Sequence, residues 1–175
     1  PFPPALQAEE YHWNSELALQ IKALADSCGV RCRVFYRDGY DIPGAYSVVS
    51  AWNPHATIEL HFNSAGPGAQ GTETWFGQES SIPWAAKLQA RMVKLYGRKG
   101  GSDRGTKDAR EVEPHRALTS TTQIQPSALI EPFFGSNLDD CEMAVERKPG
   151  LARAIIDAYA ELAGIDLQGT GAPAT

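Results

Sequence analysis

Short β-rich runs alternate along this 175-residue chain with longer segments whose apolar residues recur every three or four positions. That alternation constrains the fold more than any single residue, because strands and helices in turn build an α/β domain around a mainly parallel sheet. Over residues 9–28, Trp13, Leu17, Ile21 and Leu24 form one helical stripe, and Gly29 stands where a helix stops. A β-rich run follows at 30–36, and 38–44 (DGYDIPG) reads as a turn or loop. A short helix is expected over 45–52, broken by Asn53-Pro54, and then an alternating strand over 57–62. A glycine-rich loop leads to a strand over 72–76 and an amphipathic helix over 82–96, with Ala85, Leu88, Met92 and Leu95 on one face. Residues 97–126 are polar and weakly periodic, a loop with room for one short strand. A buried strand over 127–130 and a last helix over 151–162 close the domain. The expectation is a single domain over residues 1–168, its twisted sheet flanked by helices on both faces, with a disordered tail at 169–175.

Composition narrows the partners. Hydrophobic residues make up 42% and charged residues 21%, ordinary for a chain with one packed core. The net charge is −5 with no basic run, which argues against nucleic acid, since that binding rests on clustered cations. No stretch has the apolar length to cross a membrane. The chain opens Pro1-Phe2-Pro3-Pro4, with no initiator Met and no signal-peptide pattern, and reads as an internal fragment or a processed product. Cys28, Cys32 and Cys141 form an odd set with no zinc-ribbon spacing. They read as core thiols, with one disulfide left open.

In open α/β sheets, ligands collect at the carboxyl ends of strands. Two ionisable residues belong there. Alternation puts Glu59, His61 and Asn63 on one face of their strand, while Ile58, Leu60 and Phe62 pack the other. Glu131 ends its strand before Pro132-Phe133-Phe134-Gly135, where aromatic bulk raises a carboxyl pKa and suits it to act as a base. H-E-x-x-H and Cys/His finger spacings are absent. The residues alone lead to an α/β domain with a His/Glu site.

The order of the motifs leads further. Glu10 opens the first helix, with Asn14 and Leu17 after it; Gly29 precedes a run closing in Arg37 and Asp38 or Asp41. Then come Asn53, His61-Phe62-Asn63, Gly71-Thr72-Glu73 with Trp75-Phe76, Arg104-Gly105, and Glu131 followed by Phe133 and Asn137. In this order the chain resembles the zinc-dependent N-acetylmuramoyl-L-alanine amidases of bacteria and their phages, from about residue 9 to 164. The resemblance implies that Glu10 and His61 bind zinc, that Glu131 is the catalytic base, and that Asn63, Glu73 and Arg104 orient ligands or substrate. It further implies hydrolysis of the amide between N-acetylmuramic acid and L-alanine in peptidoglycan, by a monomer acting in the bacterial envelope or released there by a phage. The short span between Arg104 and Glu131 leaves no room for the long inhibitory insertion of regulated relatives.

Three departures stand out. The family's first strand and its Gly-His-Gly segment are not in the sequence, so the third zinc ligand is expected upstream of Pro1, on a strand pairing beside 30–36 or 57–62. Glu59 replaces the usual Ser two residues before the ligand His, and Thr57 replaces the usual Asp. His12 is no substitute ligand, because two residues of helix turn it nearly opposite Glu10. The competing expectation is a metal-free peptidoglycan-binding or structural domain of the same fold; a zinc peptidase cutting within the stem is a third.

Overall fold

The computed structural model describes residues 4–112, 124 and 126–167. The expected tail at 169–175, and His115 in the polar stretch, lie outside the described residues. Helix α1 (Pro4–Ser27) begins earlier than its stripe, with Pro4 in the first turn, where a missing N–H costs nothing. Helix α2 (Ile42–Ala51) is capped by Asp41, whose carboxylate accepts from the Gly44 N–H at 2.8 Å. Strand β1 (Thr57–Leu60), strand β2 (Thr72–Phe76) and helix α3 (Ile82–Tyr96) follow, the last two at the bounds that the apolar patterns predict. The polar stretch contributes strand β3 (Asp103–Asp108) and one turn of helix, α4 (Ala109–Val112). Strand β4 (Ser127–Glu131), helix α5 (Leu138–Glu146) and helix α6 (Lys148–Ala163) complete the described chain. Helix α5 goes beyond the sequence reading. Its signals are an Asn137 cap on the Asp140 N–H at 3.0 Å and two aspartates in the first turn, rather than an apolar stripe.

The sheet order is β1-β4-β2-β3. Strands β1 and β4 run parallel, as do β2 and β3, while β2 and β4 are antiparallel. Residues 30–36 do not form the expected strand. Val30 donates back to Ala25 at 2.9 Å, and no ladder pairs with the run among the described residues. It keeps the alternation of a strand without the partner that a strand needs: Cys32 and Val34 are half-buried, Arg31 and Arg33 exposed. The two arginines stack instead on the rings of Trp52 and Phe35. All three cysteines are free thiols.

One face of the sheet carries the main core. Ala128, Ile130 and Phe76 pack there with Leu17 and Ile21 of α1, Leu88 and Met92 of α3, and Leu151 and Ile155 of α6. Each of the larger of these side chains contributes roughly 1.5–3 kcal/mol by leaving water. The Trp84 indole also donates to the Thr57 carbonyl at 2.8 Å, tying α3 to the start of β1. A smaller cluster of Phe62, Phe133 and Ala144, flanked by Trp13 and Cys141, closes the carboxyl end of β1 and β4. Helix α2 reaches the opposite face, where the Tyr46 hydroxyl donates to Glu59. None of the described helices is long and apolar enough to cross a membrane.

Buried Asp140 on α5 fastens these pieces together. Its carboxylate accepts from the Gly71 and Phe134 N–H groups, each at 3.0 Å, and from Arg98 Nη2 at 2.8 Å. Arg98 is itself buried and donates on to Thr72 Oγ1. Replacing Asp140 by Ala leaves a buried guanidinium and two backbone donors unmatched. Asp140→Ala should lower unfolding stability by about 3–5 kcal/mol in denaturant titration, and Asp140→Asn by less. A loss under about 1 kcal/mol for the Ala variant would contradict the clamp.

Candidate active site

The face of the sheet turned away from the main core carries the polar groups. Alternation sends Ile58 and Leu60 of β1, and Ala128 and Ile130 of β4, toward the helices, leaving Glu59, Leu129 and Glu131 on the other side. Because β2 runs against β4, its first residues lie beside the last residues of β4. Glu73 therefore pairs in register with Glu131, and Trp75 with Leu129. Past the strand ends the chain stays paired, with the Asn63 N–H on the Phe133 carbonyl at 2.9 Å and the Gly135 N–H on the Asn63 carbonyl at 2.8 Å. Gly135 is required here, since a Cβ would lie 2.3 Å from the Phe62 ring. The expectation that candidate residues gather at strand carboxyl ends thus holds for β1 and β4, while Glu73 and Arg104 come from the amino-terminal parts of β2 and β3.

Glu73 and Glu131 form a bridged pair of carboxyl groups. The Asn63 amide donates to both, at 2.8 Å to Glu73 and 2.9 Å to Glu131. The Trp75 indole does the same at 3.2 and 3.1 Å. The cations are not shared. Arg104 Nε donates to Glu73, and Lys107 Nζ stands 2.9 Å from the same oxygen. Gly71 permits this approach, because any Cβ there would meet the Ser102 carbonyl at 2.6 Å and the Arg104 side chain at 2.9 Å.

The asymmetry splits the two acidities. Burial, then the hydrogen bond and charge of Glu73, push Glu131 up to about 8. Burial also acts to raise Glu73, but its hydrogen bonds with Glu131, Arg104 and Lys107 prevail and hold it down to about 2. Of the two, Glu131 is therefore the carboxyl group that exchanges its proton in the neutral range, while Glu73 stays ionised.

Beside this pair stands His61. Its Nδ1 is 3.2 Å from Glu10 Oε1, and the same oxygen accepts the Phe62 N–H at 3.1 Å. Its Nε2 is 3.6 Å from Glu59 Oε2. Burial alone would lower the imidazole pKa; hydrogen bonds and charge from Glu10 and Glu59 override it and push the ring up to about 10. The structure thus brings the six residues singled out in the sequence into two adjoining groups, Glu10 with His61 and Asn63 with Glu73, Glu131 and Arg104. His12 is exposed, and His55 lies elsewhere, 3.2 Å from the Tyr159 hydroxyl. Asp38 accepts from the Tyr11 hydroxyl at 2.8 Å, and Asp41 serves as the α2 cap. Trp75, Lys107 and Tyr46 join the site although the sequence reading assigns none of them a role there. Strand spacing carried a signal for Trp75, two residues from Glu73; Lys107 is recognisable only from its register opposite Trp75.

Among the described residues, no group of three or more His, Cys, Asp and Glu side chains could hold a metal ion. Glu10 and His61 do bring a carboxylate oxygen and an imidazole nitrogen together, two of the ligand types that zinc takes. The donor chemistry of this pair fits a share in such a site.

The split acidities give a test. In carboxyl-carbon NMR titrations Glu131 should titrate near 8, and Glu73→Gln should move it downward by removing the adjacent negative charge. Because the folded value is raised above the usual 4.5, this group's stabilising contribution is complete below about 4.5 and lost as pH rises through about 8. Glu131→Gln should abolish that part of the pH dependence of stability. A Glu131 that titrates near 4.5 in the parent would overturn the pairing.

Comparison with known proteins matches residues 5–161 to the model of a family described as N-acetylmuramoyl-L-alanine amidase. None of the curated proteins compared with it matches the chain. Among solved structures, it is similar to the catalytic domain of CwlV, an N-acetylmuramoyl-L-alanine amidase from Bacillus (Paenibacillus) polymyxa var. colistinus. That likeness has a TM-score of 0.76 and 18% identity over 90% of this chain and 86% of the other. The amidase AmiC2 of Nostoc punctiforme gives 0.72 and 20% over 89% and 84%. The catalytic domain of the CD27L endolysin, which targets Clostridia difficile, gives 0.68 and 19% over 87% and 83%. At these identities the likeness is one of fold.

Proposed function

Because the chain belongs to the N-acetylmuramoyl-L-alanine amidase family, we propose that it hydrolyses the amide joining the lactyl group of N-acetylmuramic acid to L-alanine in peptidoglycan. The observation that best supports this reading is the Glu73–Glu131 pair beside Glu10 and His61. It gives one carboxyl group a pKa near neutrality next to two potential metal ligands. A general base works best when its pKa lies close to the working pH, because both of its protonation states are then within reach.

In this reading the ionised form of Glu131 takes a proton from the attacking water and returns it to the departing alanine nitrogen. Asn63 and Trp75 hold the carboxyl group in place through both states, since each donates to it from a neutral N–H. Glu73 stays ionised under Arg104 and Lys107 and keeps the Glu131 proton available near pH 7. Arg104 remains a third exposed while bonded to Glu73, so its guanidinium can also orient the substrate. Glu10 and His61 would be two of the protein ligands of a catalytic zinc site, which typically takes three. When bound, zinc supplies Lewis-acid polarisation of the scissile carbonyl and lowers the pKa of water. The place of action is the bacterial cell wall.

Glu131→Gln should leave the fold and zinc content of the full-length protein unchanged while slowing release of stem peptides from purified peptidoglycan by roughly 10²–10⁴-fold. Mass spectrometry of the products should show free stems beginning with alanine. His61→Ala should lose the zinc. Wild-type turnover in the Gln variant would reduce Glu131 to a rim charge. A parent protein that binds the wall and releases no stems would be a binding domain of the same fold.

A further inference from the structure

His61 has two ring nitrogens, and the structure gives a carboxylate to each. Glu10 faces Nδ1 at 3.2 Å, while Glu59 faces Nε2 at 3.6 Å. Glu59 is not a loose surface charge. Its second oxygen accepts the hydroxyl of Tyr46, a buried residue of α2. The pairing of β1 with β4 continues one residue past β1, where the His61 N–H meets the Ile130 carbonyl at 3.1 Å, so alternation keeps Glu59 and His61 on one face with the carboxylate within reach of the ring. The 3.6 Å separation is that of an ion pair across the ring edge opposite Glu10.

The two carboxylates cannot share one role. The nitrogens lie at different positions of the imidazole and direct their lone pairs apart, so an ion bound at Nδ1 beside Glu10 is out of line with a group at Nε2. An imidazole that binds a metal through one nitrogen carries a proton on the other, and an acceptor for that proton fixes both the tautomer and the ring plane. We propose that Glu59, braced by Tyr46, is a positioning residue that holds the Nε2–H of His61 and so presents Nδ1, with Glu10, to the zinc. This proposal rests on the zinc reading above and assigns a task to Glu59, which the order of motifs left without one. An anionic acceptor on Nε2–H also makes the ring a stronger donor to the metal.

The test measures zinc affinity and ring state in the full-length protein, apart from turnover. In competition with a chromophoric chelator, Glu59→Ala should weaken zinc binding about 10–100-fold. Glu59→Gln, which keeps an acceptor oxygen, should lose less, and Tyr46→Phe should also weaken binding. In nitrogen-15 NMR of the zinc-loaded parent, His61 should show zinc on Nδ1 and a protected proton on Nε2, with that proton exchanging faster in Glu59→Ala. An Ala variant that binds zinc as tightly as the parent, or zinc found on Nε2, overturns the proposal and leaves the metal reading intact. A parent that binds no zinc overturns both. Should Glu59→Ala fail to fold, unchanged affinity in both Glu59→Gln and Tyr46→Phe is the overturning result.

Discussion

The candidate site depends on a carboxylate that takes no part in it. Asp140, near the start of α5, accepts the N–H of Gly71 just before β2 and the N–H of Phe134 just after β4. It thereby holds the entrance of one strand beside the exit of its antiparallel neighbour. Arg98, arriving from the end of α3, neutralises Asp140 and reaches Thr72, whose hydroxyl in turn donates to the Pro132 carbonyl at 2.8 Å. A buried charge is tolerable only when it is paired and its remaining lone pairs are used, and here both conditions are met. Everything that follows, the alignment of Glu73 with Glu131 above all, is framed by this internal clamp.

The two halves of the site meet along one short stretch of backbone. Residues 61–63 leave β1 with His61 on Glu10, the Phe62 N–H on the same Glu10 oxygen, and the Asn63 side chain across the carboxyl pair. The Phe62 ring faces away and packs on Phe133 at 4.9 Å between centroids, while Trp13 of α1 meets Phe133 at 4.8 Å. An aromatic cluster thus fixes from below the segment that carries polar work above. Because Glu10 and Trp13 lie one turn apart on α1, the packing of that helix also sets where its carboxylate stands.

Much of this was legible in the residues, and the failures share a cause. Apolar stripes gave α1, α3 and α6, because helices that bury one face must write that face into the sequence. Strand alternation put His61 and Asn63 on one face and set Glu131 at a strand end. Segment 30–36 carries the same local signal, yet pairing is a property of two segments and no local pattern contains it. Helix α5 escaped for the opposite reason: Leu138 and Val145 are exposed, and polar caps define it. Strand β3, with its sequence DRGTKD, is polar and mostly half-exposed, so burial left little periodicity to read. Glu10, Glu73 and Arg104 came from the order of motifs rather than from any physical signature. Lys107 and Tyr46 are long-range neighbours that only the register and the helix packing bring in.

The antiparallel pairing of β2 with β4 has a consequence for how such a chain can vary. Glu73 and Glu131 are 58 positions apart along the chain (131 − 73), but their separation in space is set by adjacent rungs of one ladder. Neighbouring strands stand about 4.8 Å apart whatever joins them. The connection from β3 to β4 can therefore lengthen or shorten at modest entropic expense without moving either carboxyl group. Insertion of one residue inside either strand, by contrast, would turn one of the two side chains to the far face. The count of residues within β2 and β4 is thus locked, whatever the length of the chain that joins them.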